Sequence, residues 1–165
     1  MTPWWIECPA QGRLAVCPRP RGGDWLADDL AALRRAGVDV LVSALTPAEE
    51  MELGLAEEPM LAEAAGLRFV LLPTGDFGVP RLSEASGSLL ELRDDLAAGQ
   101  AVVAHCRMGV GRSPLIVASL LVATGLDPGD AWARVEHARG LRVPDTEAQR
   151  QWVSAWAEWL ATSHG

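Results

Sequence analysis

The stretch Ala101-Val102-Val103-Ala104-His105-Cys106-Arg107-Met108-Gly109-Val110-Gly111-Arg112-Ser113-Pro114-Leu115 decides how this chain folds. Ala101 to Ala104 is a short run of small and β-branched residues, the pattern of a strand covered on both faces. Leu115 to Thr124 is apolar all round, as a buried helix is. His105 to Ser113 connects the two, and ligands of α/β sheets bind where strands hand over to helices. A loop curled there aims successive backbone N–H groups into one concavity, and the helix N-terminus adds partial positive charge. Gly109 and Gly111 free the backbone for conformations that a side chain would forbid. Arg112 contributes a planar, permanently charged fork that fits two phosphate oxygens. The same field favours the anionic, nucleophilic form of sulfur at Cys106. The segment therefore reads as an anion site with a sulfur nucleophile at its floor.

Taken singly, each of these residues has a bland explanation. A lone cysteine is usually a small buried hydrophobe, and that is the reading for Cys8 and Cys17. A lone Gly-x-Gly says little, and an isolated arginine is normally a solvated surface group. Cys, two Gly, Arg and Ser at fixed offsets on a strand-to-helix junction are a different matter, and the joint occurrence decides for Cys106 and Arg112.

Working outward, Ile6 to Cys8 and Leu14 to Cys17 flank Gln11-Gly12 as an N-terminal hairpin. Asp24 is placed to cap a helix carrying Leu26, Leu30 and Leu33 on one face, with Gly37 as its stop. Val38 to Val42 and Arg68 to Leu72 read as buried strands. Between them, Thr46-Pro47-Ala48-Glu49 opens a short helix with a capping box, and a second short helix ends near Gly66. Pro73 to Pro80, PTGDFGVP, is a loop, since its Pro and Gly residues suit neither helix nor strand. Ala85, Leu89, Leu92 and Leu96 recur at helical spacing. Asp127-Pro128 starts a helix that runs to Gly140, and Trp152, Val153, Trp156, Trp159 and Leu160 stripe the last one. Strands alternating with helices predict an α/β fold with a mainly parallel central sheet flanked by helices. With no repeat, low-complexity tract or linker, residues 1–165 are expected to form one domain.

Composition bounds the function. At 165 residues, 49% hydrophobic and 22% charged, the chain can bury a core and is not of disordered type. A net charge of −8 gives no general attraction to nucleic acid or anionic membrane, so an anionic substrate must be drawn in by a local field. No basic and apolar leader stands at the N-terminus, and the longest apolar run is too short to span a bilayer. Three cysteines without metal-ligand spacing argue against a disulfide framework and a structural zinc site. A cytoplasmic protein with reduced thiols is expected.

His105 to Ser113, HCRMGVGRS, resembles the signature of the protein tyrosine phosphatase superfamily, Cys-x5-Arg followed by Ser or Thr. The central position of Cys106 and the loop upstream resemble its dual-specificity-like branch, especially compact bacterial members. Weaker similarity extends through PRPRGGDWL, the Val38 strand and VPDTEAQRQWV. The resemblance implies a phosphatase that attacks a phosphate monoester through Cys106, with Arg107, Met108, Gly109, Val110, Gly111 and Arg112 cradling the phosphate. It implies that Asp76, on the PTGDFGVP loop, protonates the leaving oxygen, although a turn aspartate is the plain alternative. It gives Ser113 the task of assisting the departing thiolate, beside the simpler task of capping the following helix. It implies that His105 orders the loop and does not act as a base. Arg107 is read as facing solvent at the mouth.

No metal or organic cofactor is implied, and the expected partner is a phosphorylated protein or a small phosphate ester. Phosphotyrosine-specific members position the hydrolytic water with a glutamine, whereas here the aligned place holds Asp145, with Gln149 four residues on; neither is carried over as catalytic. The chain also has no tyrosine to line a deep phosphotyrosine slot, so a shallower pocket is expected. Arg107 and Val110 stand where a lipid phosphatase would carry lysine, which argues against phosphoinositides. Two rivals remain, a rhodanese-like sulfurtransferase and an inactive phosphatase-fold module that binds phosphorylated partners. The paired glycines, the arginine six places after Cys106 and the Asp76 loop weigh against the first, and the intact set of Cys106, Arg112 and Asp76 weighs against the second. Low-molecular-weight phosphatases share Cys-x5-Arg but place the cysteine near the N-terminus.

Overall fold

A computed structural model describes residues 1–163. Five strands form one sheet in the order β1 (Trp4–Ile6), β2 (Arg13–Val16), β5 (Ala101–His105), β3 (Val40–Ser43) and β4 (Arg68–Leu71). β1 pairs antiparallel with β2, and every other pairing is parallel. β5 is central, with Val102 beside Leu14 on one flank and Val40 on the other. All five of its residues are buried, so it reads as a continuous apolar run and not as an alternation.

Strand periodicity sends successive side chains to opposite faces. Val16, Val42, Val102 and Ala104 face a layer built from α4 (Leu82–Ala97), α5 (Arg112–Ala123), α6 (Pro128–Arg139) and α7 (Glu147–Ser163). Ala15, Leu41 and Val103 face the other layer, made by α1 (Leu26–Arg35) and α3 (Glu58–Ala64). The short α2 (Pro47–Glu52) lies at the end of β3. α5 is enclosed on all sides, with Arg112 to Val122 buried without a break. Ser119, inside this apolar helix, is satisfied by donating to the Leu115 carbonyl at 2.7 Å.

The expected elements are present, with four corrections. Asp24 makes no cap: a single 3₁₀ turn over Gly23–Trp25 leads directly into α1, and neither start carries a side-chain cap. β3 begins at Val40 and not Val38, because Gly37 at φ 91° and the bond from Val38 N to Leu33 O still belong to the helix stop. β4 is a half-exposed edge strand, covered by β3 on one side only. The first hairpin strand ends at Ile6, short of Cys8, which is half-buried, while Cys17 is fully buried. The capping box of α2 is formed by both Thr46 and Glu49, and Asp127 caps α6 through the Asp130 amide at 2.9 Å.

α7 docks through Val153 and Trp156, both wholly buried, and Trp156 donates its indole N–H to the Ser119 carbonyl at 2.9 Å. Its ring stacks between those of Trp152 and Trp159. Trp156→Ala should therefore destabilise the fold by about 3–5 kcal/mol, with Trp156→Phe costing clearly less. The midpoints of urea unfolding curves would measure both.

Candidate functional site

The end of β5 and the start of α5 are both buried, so residues 106–111 must turn within a narrow space. Gly109 takes φ 72°, a left-handed conformation that glycine alone adopts freely. Gly111 is glycine for a different reason: a Cβ there would fall 2.4 Å from Asp145 Oδ2 and 2.9 Å from Gln149 Nε2. The turn brings the Gly109 amide to 3.3 Å from Cys106 Sγ and the Ser113 hydroxyl to 3.1 Å. Both are donors that a sulfur anion accepts. α5 begins at Arg112 behind Gly111, so Ser113 lies inside the first turn and is not the cap. Its hydroxyl is committed to the sulfur.

Arg112 is only 2% exposed, and its neighbours account for most of its protons. Nη1 donates to Glu49 Oε1 at 2.6 Å and to the Thr74 carbonyl at 2.8 Å, and Nη2 donates to Glu49 Oε2 at 2.9 Å. This fixes the guanidinium plane and leaves the Nε–H and the second Nη2–H along one edge. Asp76 Oδ1 lies 3.2 Å from Nη2 on that edge. The hydrogen bonds from Arg112, and less so its charge, hold the Glu49 carboxyl far below its ordinary range, to about 2. Asp76 itself is oriented by the Phe77 amide, 3.1 Å from Oδ1. Phe77 stands at φ 59°, a strained conformation for a bulky residue, and 63% of it is exposed.

These groups enclose a cavity of about 250 Å³ lined by Asp76, Phe77, Cys106, Met108, Val110, Gly111, Arg112 and Asp145. Cys106 and Arg112 form its buried parts, and the exposed side chains of Phe77 and Met108 form apolar lips. Arg107 points away from the floor, bound by Glu52 at 2.8 Å and Glu49 at 3.4 Å. Its expected place in the phosphate cradle is therefore confined to its backbone. Gln149 is buried, taking the Thr146 amide at 3.1 Å and donating to the Gly78 carbonyl at 3.1 Å. It ties the Asp76 loop to α7. Asp145 lines the cavity, and its carboxyl is pushed up by burial and then by Asp76.

His105 is buried where the pattern placed it, with Nδ1 3.3 Å from the Cys106 carbonyl and Nε2 2.5 Å from Glu58 Oε1. Three other supports were not foreseen from the sequence. Glu49 carried a legible signal only as a capping residue. Thr74 contributes a backbone carbonyl. Arg139, at the end of α6, donates from Nε to the Gly109 carbonyl at 2.8 Å while stacking 3.7 Å over the Trp4 ring.

Residues 17–126 match a family described as Tc-R-P, polymorphic toxin system, DSP-PTPase phosphatase. The chain belongs to that family. It is thus a member of the protein tyrosine phosphatase superfamily, with a dual-specificity-like phosphatase fold. No curated protein matches it by sequence. Among solved structures, kinase associated phosphatase with its catalytic cysteine replaced by serine superposes at TM-score 0.88 and 20% identity, over 98% of this chain and 96% of its own. The active form of Tk-PTP gives 0.77 at 23% identity, over 96% and 99%. PTPMT1 in complex with PI(5)P gives 0.77 at 18% identity, over 98% and 99%. At these identities the likeness is one of fold.

The Arg112–Glu49 pair has a consequence for stability. Glu49's folded pKa lies below its ordinary 4.5, so the stability it contributes is complete above that pH and is lost as pH falls towards about 2. Glu49→Gln should lower stability at pH 7 and flatten the acid limb of the unfolding profile between about 4.5 and 2. Thermal melts of both proteins across that window would show it.

Proposed function

We propose that this phosphatase hydrolyses phosphate monoesters through a phosphocysteine on Cys106, with protein phosphotyrosine as the first substrate class and phosphoserine or phosphothreonine as the second. One observation carries the reading. The sulfur of Cys106, two donors to that sulfur, the open edge of Arg112 and the Asp76 carboxylate converge on one small cavity. The rhodanese reading explains neither the Asp76 loop nor the ordered fork of Arg112, and the inactive-module reading leaves the sulfur of Cys106 and the Asp76 carboxyl without a task.

In the first step the Cys106 thiolate attacks phosphorus, the S–P bond forms and the P–O bond to the leaving group breaks. Asp76 gives its proton to the departing oxygen. The Arg112 edge and the loop amides of Val110 and Gly111 hold the equatorial oxygens, while the Gly109 amide stays on the sulfur. Their stabilisation is electrostatic and is enlarged by the buried setting. In the second step water attacks phosphorus, the S–P bond breaks and the Asp76 carboxylate takes the water's proton. The Ser113 hydroxyl, 3.1 Å from Sγ, donates to the returning thiolate. A phosphate on the Arg112 edge displaces Asp76 from Nη2 and leaves it beside the ester oxygen.

The lips of Phe77 and Met108 favour an aryl ester over a sugar or nucleotide phosphate, since a flat apolar leaving group loses water contact there at little cost. We treat residues 1–165 as one catalytic domain requiring no metal or organic cofactor. Among the described residues no helix is long and apolar enough to cross a membrane, and a phosphorylated protein met in a cytoplasm is the substrate setting we infer. The family description places such phosphatases in a polymorphic toxin system.

Cys106→Ser should abolish turnover of p-nitrophenyl phosphate while still binding vanadate, because the hydroxyl is un-ionised and the loop donors persist. Substantial residual turnover would remove Cys106 from the nucleophile's place. Arg112→Lys should lose at least about 100-fold in kcat/KM, since an ammonium cannot span two oxygens. Asp76→Asn should slow esters of poor leaving groups far more than esters of good ones. Rates on aryl phosphates of graded phenol acidity test this, and parallel slopes for the two enzymes would reduce Asp76 to a turn residue.

A further inference from the structure

Arg139, the last residue of α6, is half-buried against the Cys106 loop and has no part in the mechanism above. A cation in the last turn of a helix is favoured by the helix dipole, and that alone would account for an arginine at this place. Its contacts go further. Among the described residues no carboxylate pairs with it. Its Nε donates instead to the Gly109 carbonyl at 2.8 Å, and its guanidinium carbon lies 3.7 Å over the Trp4 ring of β1.

The Gly109 carbonyl shares one planar unit with the Val110 amide, and this peptide bond is trans. Across a trans peptide the C=O and the N–H point in opposite directions. With the carbonyl held by Arg139 on one side, the Val110 N–H is turned to the other, where Val110 lines the catalytic cavity. Nothing among the described residues accepts from that N–H, so it is a donor left over for a ligand. The neighbouring glycine makes its direction insecure. Gly109 stands at φ 72°, and without a Cβ it lets the Gly109–Val110 unit turn through conformations barred to other residues. A unit turned over would aim a carbonyl oxygen at the phosphate place and remove a donor from it. We propose that Arg139, seated on Trp4, is a positioning residue that locks the Gly109–Val110 peptide with its N–H towards the bound phosphate. The hydrogen bond from the guanidinium also polarises the unit and so strengthens the N–H as a donor. The Gly109 N–H belongs to the preceding peptide unit and stays on Sγ. β1 thereby supports the anion site without lining it. The inference rests on the cavity being a phosphate site, as proposed above.

Vanadate affinity, measured by calorimetric titration, tests the lock without needing turnover. Arg139→Met keeps an apolar stem and loses the donor. It should bind vanadate about 10-fold or more weakly than wild type, with a similar fall in kcat/KM on p-nitrophenyl phosphate, less than when an oxyanion donor is removed outright. Arg139→Gln places an amide N–H as many bonds from the backbone as Nε, without the charge, and should recover most of both losses. Vanadate affinity of Arg139→Met within about 2-fold of wild type overturns the lock. So does an Arg139→Gln protein as weak as Arg139→Met, which would leave the arginine acting by charge or as a helix end alone. Trp4→Leu removes the seat and should weaken vanadate by about 3-fold or more. If Arg139→Met does not fold, a Trp4→Leu protein that binds vanadate as wild type does overturns the proposal. A wild type that binds vanadate but does not turn over p-nitrophenyl phosphate would defeat the phosphatase reading and leave the affinity comparison standing; one that binds no vanadate would overturn both.

Discussion

Every part of this site depends on the pairing of Arg112 with Glu49. A guanidinium with 2% exposure keeps its charge, so its burial is costly unless its hydrogens are taken up. Glu49 takes two of them in a fork, the Thr74 carbonyl takes a third, and the remaining edge is left towards the cavity. The pair also joins three segments distant in sequence: the start of α5, the start of α2 and the loop that carries Asp76. The geometry of the anion site is thus set by charge satisfaction, with the helices acting as the frame that delivers the charges.

Glu49 serves two ends with one carboxylate. Its Oε1 accepts the Thr46 amide at 3.2 Å as half of the capping box and also receives Arg112 Nη1. The helix cap therefore orients the acceptor that orients the arginine. This coupling explains why a six-residue helix, too short to be stable by propensity, occupies a fixed place at the rim. It also lessens the repulsion expected inside an acidic protein, because three of the acids around the cavity are paired with arginines. Glu49 and Glu52 engage Arg112 and Arg107, and Asp76 rests on Arg112.

What could be read from the sequence follows from how local the determining forces are. β5, α5 and the turn between them were legible because burial, glycine placement and the Cys-to-Arg spacing all act within fifteen residues. The helix stripe at Leu89 and Leu92 and the capping box at Thr46 were legible for the same reason. The Asp24 cap failed because the chain entered α1 through a 3₁₀ turn, for which no local residue pattern stands out. β4 looked like an interior strand by composition, and only the order of strands makes it an edge. The supports of the site were hidden because each is a contact across the fold. Glu49 lies 63 residues from Arg112, Arg139 lies 30 from Gly109, and Thr74 acts through a backbone atom that any residue would supply.

Gly111 shows how a residue can be identified correctly for the wrong physical reason. Two glycines in a phosphate loop invite the same explanation, freedom of φ, and Gly109 at 72° fits it. Gly111 does not, for its φ of −115° is open to any residue. Its missing side chain is the space in which Asp145 and Gln149 approach the loop. Gln149 in turn reaches the Gly78 carbonyl, so one absent methyl group allows α7 to hold both the phosphate loop and the Asp76 loop. Asp145 and Gln149, which the sequence left without a role, therefore belong to the site as its third wall. Gln149 thereby couples the position of the Asp76 loop to that of the Cys106 loop.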